Sequence, residues 1–256
     1  MKALVAIKLT YDVNQLKFER NGTPILDTCP RVMGDADKCA VEEAVRVKEK
    51  LGASTSVMTI GSLKEHYKII RDAYAMGIDK GYIVRVDDAE LLDAITVAKI
   101  IARFAEKTGP YDYIFLGSGA SDTHSSVVGP LVAGLLNYKL IANVDKLSID
   151  REGVVKATSM LEDGVYTWEA RPPVVITVTS EANEPRIPTI KAILRSKRMP
   201  IEEITLDELG LEPRRINVKE IKRFIVKRKR IRIDATENVE EAVEKLIKFL
   251  EEEGVI

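Results

Sequence analysis

The sequence predicts an α/β fold: a doubly wound, mostly parallel, Rossmann-like sheet with a C-terminal arm. Three observations predict it. Short apolar runs alternate with longer segments in which apolar residues recur every three or four positions, the periods of buried strand and amphipathic helix. The helical segments close on Gly52, Gly77 and Gly109, where glycine readily ends a helix. The repeated strand–helix order calls for parallel strands joined by right-handed crossovers. The chain, 256 residues with 45% hydrophobic and 31% charged, is long enough to bury such a core.

Each element has its own warrant. "ALVAI" (3–7) is a short apolar run suited to a strand buried on both faces. "DKCAVEEAVRVKEKLG" (37–52) places Ala40, Val41, Ala44, Val45 and Leu51 at helical spacing. "STSVMTIG" (54–61) reads as a strand, "LKEHYKIIRDAYAMG" (63–77) as a helix and "KGYIVRV" (80–86) as a strand. "DAELLDAITVAKIIARFAEKTG" (88–109) reads as one long helix, acidic in its first turn and basic in its last half, as the helix dipole favours. "YDYIFLG" (111–117) is a strand and "GPLVAGLLN" (129–137) opens a helix. Beyond residue 140 the pattern turns to antiparallel strands with turns at "REG" and "EDG". From 201 onward apolar content is low until a last helix over 238–253, which reads as an arm that packs on something else.

Composition excludes several classes. Thirty-nine basic and 40 acidic residues leave a net charge of −1, so no global field draws the chain to nucleic acid. Cys29 and Cys39 are too few for a disulfide framework, and no Cys/His spacing resembles a zinc site. No run approaches the ~20 apolar residues of a membrane span. The N-terminus reads as a first strand rather than a signal peptide, and the expected location is the cytoplasm. The basic run "KRFIVKRKRIR" (222–232) suits an exposed strand as well as a nucleic-acid contact.

The chemistry-bearing stretch is "GSGASDTHSSVVGP" (117–130), where an apolar strand empties into glycines and hydroxyls before a helix. In a doubly wound sheet, ligands sit at such carboxyl ends, near the switch point. Small residues let a phosphate approach the backbone, and a helix N-terminus attracts it. Ser118, Ser121, Thr123, Ser125 and Ser126 add hydroxyls, and no basic residue lies within the loop. The loop matches neither G-x-x-x-x-G-K-[ST] nor G-x-G-x-x-G cleanly, so an ordinary polar βα loop is the competing reading. His124 has Asp122 nearby but no triad pattern, and reads as a binding or surface residue; His66 reads as surface. "RVMGDADKC" (31–39) offers Asp35 and Asp37 as helix caps or as a second wall of a nucleotide pocket. Ile187, Ile190 and Leu194 share helical spacing and would form a docking patch if exposed.

"NEPR" (183–186), followed by fifteen residues ending in "PI", resembles the signature of electron transfer flavoprotein β subunits. "LVAIK" (4–8) is similar to that family's first strand, "AVEEAVRVKEK" (40–50) to its first helix, and 117–130 lies where it has its nucleotide loop. The resemblance runs from residue 1 to about 215. It implies an αβ heterodimer that carries electrons from flavoprotein dehydrogenases to a quinone oxidoreductase or other acceptors. It implies an adenine pocket at Ala6, Gly34, Asp35, Ala36, Asp37 and Ile60. It implies a phosphate loop of Gly117, Ser118, Gly119, Ala120, Ser121, Asp122, Thr123, His124, Ser125, Ser126, Val127 and Val128. No metal site and no catalytic residue are implied.

Residues 1–200 are then the nucleotide-binding domain, with a partner-recognition loop over 178–200, and 201–256 an arm packing on the α subunit. Ile190 stands where the family has an anchoring leucine. The loop ends in "SSVVGP" rather than Asn-Gln-Thr-Gly, and Gly34–Asp35 replaces the usual Asn-Pro. "VGP" and "EDG" (162–164) are more similar to the electron-bifurcating group, which holds FAD in β; the alternative is AMP here, with FAD on α. A stand-alone adenine-nucleotide binder or ATP pyrophosphatase-like enzyme is the rival. It lacks its Ser-Gly-Gly-x-Asp-Ser loop after the first strand, which here leads into "KLTYDVNQLKF".

Overall fold

Burial on alternate faces decides the sheet. In the computed structural model, which describes residues 1–223 and 230–256, the chain forms two units, Met1–Ile221 and Lys222–Ile256. In the first, β1 (Lys2–Ala6) is followed by two short ribbons: β2 (Leu9–Tyr11) with β5 (Arg31–Met33), and β3 (Lys17–Phe18) with β4 (Pro24–Ile25). Then come α1 (Asp35–Leu51), β6 (Ser54–Ile60), α2 (Lys64–Met76), β7 (Lys80–Arg85), α3 (Ala94–Thr108), β8 (Tyr113–Gly117) and α4 (Val128–Leu136). A meander of β9 (Lys139–Ile149), β10 (Val155–Leu161) and β11 (Gly164–Ala170) leads to β12 (Val174–Val178), α5 (Ile190–Ser196) and β13 (Ile201–Thr205).

These strands form one nine-stranded sheet in the order β11-β10-β9-β12-β8-β1-β6-β7-β13. From β9 to β13 every neighbouring pair is parallel; β10 and β11 extend the sheet antiparallel. Along β1, Ala3 and Val5 join the core beneath α1 and α2, while Leu4 and Ala6 join the core beneath α3 and α4. A strand covered on both faces explains the unbroken apolar run. The chain runs from β1 outward through β6 and β7, then returns to β8 on the other side of β1. The switch point therefore lies between the carboxyl ends of β1 and β8, where such sheets bind ligands.

One expectation needs correction. Residues 88–93 do not begin α3: Ala89–Leu91 is a 3-10 turn, and the Asp93 side chain caps the helix by accepting from the Thr96 N–H at 2.6 Å. The apolar period continues through Leu91 and Leu92, but the cap sets the start. Ile201–Thr205 pairs with β7 as an edge strand, and the chain up to Ile221 belongs to the first unit.

The second unit holds α6 (Val239–Glu252), capped by the Asn238 side chain accepting from the Glu241 N–H. Val243, Leu246 and Ile247 line one face of α6 and remain exposed. The basic run over 222–232 lies partly outside the described residues, at 224–229.

Candidate functional site

A cleft of about 370 Å³ opens at the switch point, lined by the ends of β1, β6 and β8, by the loop after β8, and by the first turns of α3 and α4. That volume lies within the ~300–1,000 Å³ common for small-molecule sites. One end is apolar, with Ala6, Ile60, Leu116, Val97 and Ile101 on its walls. The other is the hydroxyl-rich loop.

Asp37, in the first turn of α1, holds the two central strands in register beneath the loop. Its Oδ2 accepts from the Lys8 N–H at 2.9 Å and its Oδ1 from the Gly117 N–H at 3.1 Å. Gly117 permits this approach, because a Cβ there would lie 2.6 Å from Asp37 Oδ1. Burial pushes the Asp37 carboxyl up to about 6 from 3.8, against the pull of those two N–H groups and of Lys8. A carboxyl raised on folding binds its proton more tightly in the folded chain. The stability this contributes is complete below 3.8 and is lost as pH rises through 6. Urea midpoints should therefore carry a component that falls between about pH 4 and pH 6.5, and Asp37→Asn should flatten it. An unchanged profile in the variant would assign the dependence to other groups.

The loop is fastened to the segment after β1. Lys8 Nζ meets Asp122 Oδ1 at 2.7 Å and Thr123 Oγ1 at 3.4 Å. Ser121 Oγ lies 3.0 Å from Thr10 Oγ1 and donates to the Tyr11 carbonyl at 3.3 Å. The His124 N–H closes a turn on the Ala120 carbonyl at 2.8 Å. His124 and Ser126 take left-handed backbone, at φ 44° and 54°, so the loop is held in a form its side chains disfavour. It then enters α4, whose first residue follows Val127 with no side-chain cap. The first N–H groups of a helix have no partner within it, so Val128 and Gly129, both on the cleft wall, offer donors to an anion.

Among the expected site residues, Ala6, Asp37, Ile60, Gly117, Ser118, Gly119, Ala120, Asp122, Thr123, Ser125, Ser126 and Val128 line the cleft. Gly34, Asp35, Ala36, Ser121, His124 and Val127 do not. Asp35 points outward, paired with Lys38 at 2.7 Å, and Ala36 packs behind Gly117.

Other lining residues escaped sequence reasoning. Lys8 could have been flagged as a cation at the carboxyl end of the first strand. Arg31 also reaches the cleft, donating to Tyr11 Oη at 3.0 Å and lying 5.1 Å from that ring's centre. Thr59 Oγ1 is buried with no hydrogen-bond partner among the described residues. His66 is not a surface residue: it is 5% exposed beneath Gly61, where a Cβ would meet its Nε2 at 2.1 Å. Burial pushes its pKa down, and Nδ1 accepts from the Leu63 N–H at 3.1 Å, leaving the ring neutral with its proton on Nε2. The only sequence hint was the adjacent Gly61. The apolar wall, the small residues of the loop and the uncapped helix start fit a ligand with an apolar ring and an anionic tail.

Residues 25–209 match the electron transfer flavoprotein domain, well over half of the chain. The chain belongs to the electron transfer flavoprotein β-subunit family. It is 30% identical to the electron transfer flavoprotein subunit beta of Thermoanaerobacterium thermosaccharolyticum, across 100% of both chains. It is 30% identical to that of Bacillus subtilis over 90% of this chain and 89% of the relative. With the human subunit it shares 31% over 83% and 84%.

In this electron transfer flavoprotein subunit, the segment after β12 is clamped to α1. Arg186 Nε meets Glu42 Oε2 at 2.8 Å and its Nη1 meets Glu49 Oε1 at 2.6 Å. Asn183 Nδ2 donates to Glu43 Oε1 at 2.8 Å and to the Cys39 carbonyl at 3.2 Å. Burial pushes Glu42 up, and the Arg186 guanidinium outweighs it, holding the carboxyl below its usual range. Beyond the clamp, the Thr189 hydroxyl caps α5, accepting from the Ala192 N–H at 3.2 Å. Ile187, Ile190 and Leu194 are 93%, 78% and 58% exposed.

Among the described residues, no helix is long and apolar enough to cross a membrane, and no group of three or more His, Cys, Asp or Glu is arranged for a metal.

Proposed function

We propose that the switch-point cleft binds an adenine nucleotide, and that this subunit, paired with an α subunit, carries electrons from NADH or a flavoprotein dehydrogenase to quinone- or ferredoxin-type acceptors. The observation that carries the reading is the loop 117–127, folded over an apolar cleft and feeding the uncapped start of α4. Ala6, Ile60 and Leu116 would pack the adenine. Ser118, Ser125, Ser126 and the N–H groups of Val128 and Gly129 would hold phosphate.

The nucleotide is FAD, whose AMP half fills the cleft; AMP alone is the alternative. Flavin, when bound, supplies the redox chemistry by taking up hydride and releasing electrons. The side chains of this subunit orient the ligand and exclude water from its adenine end. Among the described residues, none is placed as acid, base or nucleophile.

The exposed Ile187, Ile190 and Leu194 would meet the electron-donor dehydrogenase, and the bare apolar face of α6 supports docking of the arm on the α subunit. The expected setting is the cytoplasm. Adding AMP to the nucleotide-depleted full chain should raise its unfolding midpoint, because a ligand that binds only the folded state stabilises it by about 2.7 kcal/mol at a hundredfold excess over Kd. No shift at millimolar AMP would remove the cleft as an adenine site.

A further inference from the structure

The loop presents a puzzle if its ligand is a phosphate. It contains no cation, yet it carries Asp122, whose carboxylate lies on the cleft wall. An uncompensated carboxylate beside a phosphate is repulsive. The fold supplies the missing charge from 114 residues away: Lys8 Nζ sits 2.7 Å from Asp122 Oδ1.

We propose that Lys8 is the phosphate-side cation of the cleft: its ammonium offsets the Asp122 carboxylate and keeps a donor for a ligand oxygen, so that the loop meets phosphate neutral rather than anionic. The inference rests on the nucleotide reading above. Three observations carry it. The backbone of Lys8 is fixed, since its N–H donates to buried Asp37, so the side chain leaves the segment after β1 from a rigid point. The ammonium has three donors; Asp122 and Thr123 engage two of them, and the third is available to a ligand oxygen. Lys8, Asp122, Ser125 and Ser126 line the same cleft. The other cation there, Arg31, is engaged by the Tyr11 hydroxyl and lies against that ring. The pair also fastens the loop to the segment after β1. Lys8 is 42% exposed in its side chain, and an ion pair so placed adds little stability, which separates a binding role from a structural one.

The test compares AMP with adenosine on the nucleotide-depleted full chain by calorimetry. Lys8→Gln should weaken AMP roughly tenfold, the scale of one charge-assisted contact, and change adenosine less than about twofold. It should also flatten the dependence of AMP affinity on salt. Asp122→Asn should tighten AMP severalfold, because an amide oxygen can still accept from the ammonium while the carboxylate that offsets its charge is gone. This second variant keeps the test decisive should Lys8→Gln fold poorly. Equal AMP affinity in wild type and both variants would overturn the role of Lys8 and leave the nucleotide site standing. Equal loss of AMP and adenosine in Lys8→Gln would make the residue a structural fastener and overturn the proposal as well. Failure of the wild-type chain to bind either ligand would instead remove the nucleotide reading, and the inference with it.

Discussion

Arg186→Ala is expected to destabilise the folded chain by about 3 kcal/mol, the cost of stripping a buried carboxylate of its main partner. The Glu42 side chain is only 5% exposed, and Arg186 reaches it through Nε, Nη2 and its own backbone N–H. Arg46 also touches Glu42, at 3.1 Å, and keeps part of the charge balanced; the cost therefore belongs at the lower end of what broken buried pairs show. The sign with pH follows from the lowered carboxyl. Its stabilisation is present above the ordinary glutamate value of 4.5 and is lost as pH falls through the folded value. Wild type should thus lose more stability than Arg186→Ala on acidification below about pH 4.5. Chemical denaturation at several pH values measures both. A cost under about 1 kcal/mol would place the contact with exposed surface pairs and deny that it clamps the segment.

If the exposed patch docks a donor flavoprotein dehydrogenase as proposed, Ile190→Ala slows reduction of the heterodimer by that donor roughly 30-fold, the effect of losing an anchor worth about 2 kcal/mol. At 78% exposure the side chain contributes little to the fold, so midpoint and bound nucleotide should stay unchanged. Arg186→Ala should produce a smaller slowing through the same docking step, because it unfastens the segment that presents α5. Stopped-flow traces with a small chemical reductant in place of the dehydrogenase should be the same for all three proteins. An equal defect with both reductants would move the role of Ile190 away from docking.

Local patterns were legible in the sequence; contacts across the chain were not. The alternation of strands and helices could be read because buried strands and amphipathic helices repeat with different periods, and Gly52 ends α1 in left-handed backbone at φ 66°. The loop at 117–130 could be read because few folding needs call for so many hydroxyls after a buried strand. The start of α3 could not, since Leu91 and Leu92 keep the helical period while the Asp93 carboxylate, through one hydrogen bond, selects a later first turn. β13 is hard to read as a strand because it lies at the sheet edge and places one isoleucine and one glutamate on each face. His66 looked like a surface residue on an amphipathic helix, and only the space beneath Gly61 buries it. Lys8 and Asp122 each look ordinary in sequence, and their meaning arises from a contact that only the sheet order creates.

The central claim is that this subunit holds an adenine nucleotide in the cleft between β1 and β8. Its most direct test is a census of released ligands. The chain is co-expressed with its α subunit, the heterodimer is purified and heated, and FAD and AMP are quantified by chromatography. The account predicts two FAD and no AMP per heterodimer. One FAD and one AMP would keep the cleft as a nucleotide site but assign it a scaffold role. A folded heterodimer holding flavin on the α subunit alone, with no second adenine nucleotide, would contradict the claim.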